Sequence, residues 1–168
     1  MRVFALQVCA AALLAHASGA AAQVTKYPNT PPGLILQSVS VGAKSEILFL
    51  SGQLASPLDA SKPTSPAMTV ADYGDTKTQT ISTLTKIKTI LASHGYAMAD
   101  VIKLTVFVAA APDMEGKMDF AGMNAGFKTF FGTPDNPGTV ARSTIQVAAL
   151  AGPAYLVEIE ATAAKPAK

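Results

Sequence analysis

The chain has 168 residues, about one domain's worth, with 49% hydrophobic and 14% charged residues and a formal net charge of +2. That composition supports a real core and excludes a disordered chain. With no block of like charges and no tryptophan, neither an electrostatic grip on nucleic acid or an anionic membrane nor a base-stacking platform is expected.

In chain order, residues 1–22 have the layout of a secretory signal. Arg2 gives a positive start, Val3–Ala17 is an apolar run too short to span a bilayer comfortably, and Ala20-Ala21-Ala22 offers a small-residue cleavage site before Gln23. The competing reading is an apolar N-terminal helix of the domain. On the signal reading, residues 23–168 form a single periplasmic or secreted domain, with no membrane attachment after cleavage. Cleavage also removes Cys9, the one cysteine, and with it disulfides, thiolate catalysis and thiolate metal sites. His94 then stands alone among histidines near a helix end, where it is expected to cap rather than to bind metal.

Val24–Pro32, with three prolines, reads as an extended lead-in arm. Leu34–Val41 and Glu46–Ser51 read as strands joined around Gly42–Ser45, and Leu54–Ala67, rich in Pro, Ser and Asp, as a surface loop. Thr69–His94 is predicted as the first helix. Thr69 and Asp72 form a capping box, Ile81, Leu84, Ile87, Ile90 and Leu91 an apolar stripe, and Gly95 the stop. Val101–Ala109 is a β-branched, largely buried strand. Met114–Phe131 is the second helix, with Met118, Met123, Phe127 and either Phe130 or Phe131 inward and Gly132 and Pro134 ending it. Thr139–Ala163 reads as a closing hairpin around Leu150-Ala151-Gly152-Pro153. The order β-β-α-β-α-β-β, with two helices on one face of a mixed sheet, is a two-layer α+β domain.

The hairpin holds the charges that matter. Pairing Arg142 opposite Glu160 would place Thr144 opposite Glu158 and put all three charges on one face; a one-residue slip would part them. A charge removed from water is either paired or kept for a charged ligand. Arg142 therefore reads either as a bidentate grip on a carboxylate or as a structural ion pair with Glu158 or Glu160. The two glutamates could equally form a solvated strand face, Asn124 a helix-surface residue and Ser51 a strand end. No nucleophile elbow, phosphate loop, dinucleotide fingerprint or His/Cys metal spacing is present. Arg142, Glu158, Glu160, Asn124, Ser51 and the amides near Gly52 remain, a set that can bind a small carboxylate and position a water.

Ser51-Gly52-Gln53, the strand VIKLTVFVA, the run from Met118-Asp119-Phe120 through Met123-Asn124 to Phe130-Phe131, Ala141-Arg142-Ser143 and Val157-Glu158-Ile159-Glu160-Ala161 together resemble the Rid family. This family is also called the YjgF or L-PSP endoribonuclease family, the reactive-intermediate enamine/imine deaminases. The likeness runs from about Pro31 to Ala164. It implies a fold similar to trimeric chorismate mutase, with three subunits packing their sheets into a central barrel and active clefts between neighbours. It also implies roles. Arg142 would bind the substrate carboxylate, Glu158 would hold the attacking water, and Ser51, Gly52 and Asn124 would line the cleft. The implied reaction is cofactor-free hydrolysis of a 2-imino acid or enamine to a 2-oxo acid and ammonia.

The chain departs from the family pattern in four places. Where the family's deaminases show G-P-Y-S-Q-A, this chain has Gly33-Leu34-Ile35-Leu36-Gln37-Ser38, so Ile35 replaces a tyrosine facing the cleft. Val140 replaces a proline, and Thr144 stands where a cysteine is common, at a position that usually contributes backbone. Leu54–Ala67 is longer than usual and would cover one cleft edge. The apolar substitution at Ile35 and the signal segment also suit a non-catalytic trimer that binds a small carboxylate in the periplasm. Ribonuclease action, which one family name suggests, lacks a basic groove signature.

Overall fold

Two βαβ crossovers organise the domain, as expected when parallel strands must be joined across a sheet face. The computed structural model describes residues 24–62 and 64–167; the signal segment expected at residues 1–22 lies outside them. Strands are β1 (Val24–Pro28), β2 (Leu36–Val41), β3 (Ser45–Leu54), β4 (Val101–Val108), β5 (Ala141–Gln146) and β6 (Val157–Pro166). Helices are α1 (Val70–Tyr73), α2 (Thr76–Ser93) and α3 (Phe120–Phe127), with a single 3-10 turn at Met98–Asp100. The main sheet runs β3-β6-β4-β5, with β6 antiparallel to both neighbours and β5 parallel to β4.

The expected α+β architecture stands, with three local corrections. The lead-in arm is itself a strand: β1 pairs antiparallel with β2 from Val24↔Val41 to Tyr27↔Ser38. The first helix is split. Gly74 takes φ +86°, a conformation that stops α1, and the Asp75 carboxylate then caps α2 by accepting from the Thr78 N–H at 2.8 Å. The second helix is shorter than its apolar pattern. Asp113 and Glu115 lie at φ +61° and +52°, so the chain turns there, and α3 begins only after Asp119 caps it through the Gly122 N–H at 2.7 Å.

The largest correction concerns the closing hairpin. β5 and β6 are not neighbours, because β4 lies between them. Arg142 is opposite Leu104, and Glu160 is opposite Thr105. Burial explains the choice. Val157, Ile159, Ala161 and Ala163 of β6 are all buried and need apolar neighbours on both sides, so β6 takes a central place. β5 carries Arg142, Ser143 and Gln146 and goes to the edge, where polar side chains have an outlet.

One face of the sheet, with Leu50, Leu104, Val106, Ile159 and Ala161, packs on Leu84, Ile87 and Leu91 of α2 and on Met123 and Phe127 of α3. Each fully buried aliphatic side chain here contributes about 1.5–3 kcal/mol relative to exposure. The α2 stripe is as predicted at Leu84, Ile87 and Leu91. A second buried face of Thr76, Gln79, Thr80 and Thr83 was not legible as core, and α3 packs against α2 there, with Gly126 directly on Thr80. The opposite face of the sheet is open and displays Ile47, Phe49 and Ile145.

Candidate active site

Arg142 sits on the edge strand and shares a face with buried Leu104, so its side chain lies under α3. One turn apart on that helix, Asn124 and Phe127 receive it. The guanidinium donates from Nη2 to Asn124 Oδ1 at 2.6 Å, and its central carbon stands 4.4 Å from the centre of the Phe127 ring, which stacks on Phe131 at 4.7 Å. Nη1 is buried and has no hydrogen-bond partner among the described residues. The ion pairs among the described residues are Lys62–Asp72 at 3.5 Å and Lys165–Glu46 at 3.9 Å, and neither involves Arg142. Arg142 is therefore not ion-paired with Glu158 or Glu160 within one chain. Partial burial holds its pKa below the ordinary arginine value, the direction expected of a cation that loses some of its water without an anion in exchange.

Thr144 follows on the same face of β5. Its hydroxyl is also buried without a partner. Two unspent hydrogen-bonding groups thus lie two residues apart beneath α3. Ile35 is half-buried just before β2. Its flanking residues are tied to the start of β5: the Leu36 N–H donates to Val140 O at 3.0 Å and Thr139 Oγ1 to Leu34 O at 2.6 Å. Ile35 therefore sits beside the start of the strand that carries Arg142.

Ser51, Gly52, Glu158 and Glu160 form a second group. Pairing between β3 and β6 passes from Leu50↔Ala161 to Gln53↔Ile159, so one extra residue is accommodated at Ser51-Gly52. The Glu158 carboxylate lies against Gly52. A Cβ at Gly52 would overlap Oε1 and stand 2.8 Å from the carboxyl carbon, so this close approach requires glycine. Glu160 is exposed beside Ser51, Lys103 and Thr105 in a shallow hollow of about 270 Å³.

Register separates the two groups. Glu158 is opposite Phe107, three residues along β4 from Leu104, so it projects from the face opposite to Arg142. With β4 between them, their backbones are also about 10 Å apart across the sheet. The structure thus joins Arg142 with Asn124 and Thr144, and Glu158 with Gly52 and Ser51, but does not join the two sets within one chain. Phe127 was legible only as a core residue. Its spacing of three from Asn124 was the available sign that it would share that residue's site.

Residues 37–165 match the family model described as Endoribonuclease L-PSP. A RutC family protein of Pyrococcus horikoshii is 36% identical over 84% of this chain and 94% of its own length. An Escherichia coli 2-iminobutanoate/2-iminopropanoate deaminase is 32% identical over 79% and 88%. Among solved structures, a conserved Rid family protein of Yersinia pestis superposes with a TM-score of 0.58 at 25% identity, covering 79% of this chain and 87% of that one. E. coli TdcF with bound serine gives 0.53 at 30% identity, covering 83% and 94%. The chain belongs to the endoribonuclease L-PSP family, the Rid or YjgF family, which includes enamine/imine deaminases.

Proposed function

We propose that this protein hydrolyses small 2-imino acids, or their enamine tautomers, to 2-oxo acids and ammonia, without a cofactor, in clefts built between copies of the chain. The observation that carries the reading is the half-buried Arg142 guanidinium, which has no carboxylate partner among the described residues and one unspent nitrogen. A substrate carboxylate supplies what that cation lacks. The 32% identity to a protein named for this chemistry points the same way.

The chemistry asks little of the side chains. A protonated imine is already a strong electrophile, so a water held at its carbon suffices. Glu158 accepts a proton from that water as the C–O bond forms. Glu158 returns that proton to the amino group of the resulting carbinolamine, which leaves as ammonia while the hydroxyl gives up its proton and becomes the carbonyl of the 2-oxo acid. Arg142 fixes the carboxylate end, so the reacting carbon is presented repeatedly in one orientation. Because Arg142 and Glu158 project from opposite faces, the water-holding glutamate comes from a second copy. The open face, with Phe49 76% exposed, supplies apolar surface for such an assembly, consistent with a homotrimer.

The direct assay generates a 2-imino acid in situ with an amino-acid oxidase and follows its decay with added protein. Wild type is expected to accelerate the decay, and a rate equal to buffer would overturn the enzyme reading. Glu158→Gln should lose most of the acceleration, whereas Glu160→Gln should retain it.

Gly52→Ala tests the same carboxylate through the backbone. The added methyl meets the mobile end of a side chain and not a backbone wall, so the protein should fold. Displacing the carboxylate by about 1 Å is expected to cost roughly 100-fold in kcat. Full activity in Gly52→Ala would remove Glu158 from the mechanism.

Ile35 favours a second reading, a binding module without turnover, because it substitutes an apolar group for the tyrosine of the family pattern. Thermal stabilisation by 2-oxobutanoate in a protein that leaves imines untouched would mark that outcome.

A further inference from the structure

We propose that Gln146 is the positioning residue of the Arg142 site: its amide sets how α3 docks on the edge strand and thereby holds Asn124 against the guanidinium. The proposal rests on the ligand-binding reading above for its consequence, though not for its geometry. Arg142, Thr144 and Gln146 alternate along one face of β5, opposite Leu104, Val106 and Val108 of β4. Gln146 uses both ends of its amide on the segment leading into α3. Nε2 donates to Gly116 O at 2.7 Å, and Oε1 accepts from the Met118 N–H at 3.0 Å. The next residue is Asp119, the cap of α3.

That segment needs an anchor. Asp113 and Glu115 both carry positive φ without being glycine, a conformation that costs about 1–2 kcal/mol at each residue. Its internal ties are backbone bonds from Ala111 N to Lys117 O at 3.0 Å, from Met114 N to Ala111 O at 3.3 Å and from Lys117 N to Met114 O at 2.9 Å, none of which connects it to the sheet. The Gln146 amide makes that connection. The far half of α3 is held separately, by Met123 and Phe127 in the core and by Gly126 on Thr80 of α2. Asn124 lies between the two fixings, six residues beyond Met118. Releasing the Gln146 end lets the first turn of α3 shift against its buried Met123 and Phe127 anchors, which lengthens the 2.6 Å bond from Arg142 to Asn124. The guanidinium then loses the partner that orients its free nitrogen.

Gln146 is exposed, so its loss should barely affect the fold while altering the site, which distinguishes positioning from scaffolding. Three readouts are compared in wild type, Gln146→Ala and Gln146→Glu. In the ligand-free protein, NMR signals of the Arg142 guanidinium and the Asn124 side-chain amide should shift in Gln146→Ala; unchanged signals overturn the proposal whether or not the protein is an enzyme. The Kd for 2-oxobutanoate should rise about tenfold in Gln146→Ala, the effect of one or two ordinary hydrogen bonds, with KM rising and kcat nearly unchanged. A fall in kcat alone, or a loss matched by a large drop in Tm, also overturns it. Gln146→Glu supplies the rescue. Near neutral pH its carboxylate repels Gly116 O and the variant should resemble Gln146→Ala. As pH falls through the ordinary glutamate range near 4.3, the protonated acid regains a donor and binding should move back toward wild type measured at the same pH. Wild type that binds no 2-oxo acid would sink the functional reading alone, leaving the NMR comparison to decide the role of Gln146.

Discussion

Replacing Arg142 with methionine is expected to abolish carboxylate binding and turnover while leaving the protein at least as stable as wild type. The two effects have one cause. The guanidinium has surrendered part of its hydration, has no anion among the described residues, and keeps one nitrogen without a partner. A half-buried charge in that condition costs some folding free energy, and a flexible apolar side chain of similar length removes the cost while still packing on Phe127. For the ligand the sign reverses. Losing one partner of a desolvated charge pair typically costs about 2–5 kcal/mol, roughly 30- to 4,000-fold in Kd. Thermal melts and titration with 2-oxobutanoate read the two effects separately. A several-degree drop in Tm with binding retained would show that Arg142 holds the fold together and is not the ligand's partner.

Gln79→Leu is expected to have the opposite profile, a large loss of stability from a residue remote from the chemistry. Gln79 is 0% exposed, and its amide is fully used. Nε2 donates to Gly74 O at 3.0 Å and to Ala154 O at 2.9 Å, and Oε1 accepts from the Leu156 N–H at 2.8 Å. These bonds join the break between α1 and α2 to the loop that carries the chain over β4 into β6. Leucine conserves the volume but strands a buried N–H and two carbonyls, costing about 3 kcal/mol in total. Urea unfolding should show a lower midpoint with an unchanged slope. A loss below about 1 kcal/mol would mean that water replaces the amide and that the loop is not held by it.

Both residues show where reading the chain succeeded and where it stopped. Arg142 stood out because an arginine inside a small, otherwise uncharged strand demands a partner, and that demand is a property of the residue. Which partner it finds depends on register and strand order. The apparent hairpin of β5 and β6 would have put Arg142 beside two carboxylates, and β4 instead keeps them apart. Gln79 was invisible for a related reason. On a helical wheel it falls among polar positions, and only the packing of α3 and the 154–156 loop turns that side into core.

What the chain determined alone is what local physics can decide: the α+β class, the apolar stripe of α2, the buried strand at Val101–Val108, and the residue types able to bind a small carboxylate. These follow from period, capping and the cost of burying charge, all readable within a few positions. The tertiary structure decided the strand order, the faces on which Arg142 and Glu158 project, the seat of Glu158 against Gly52 and the grip of Gln146 on the segment before α3. Those depend on which of two strands can bury both its flanks. That is a competition between distant segments, and no local pattern records its outcome.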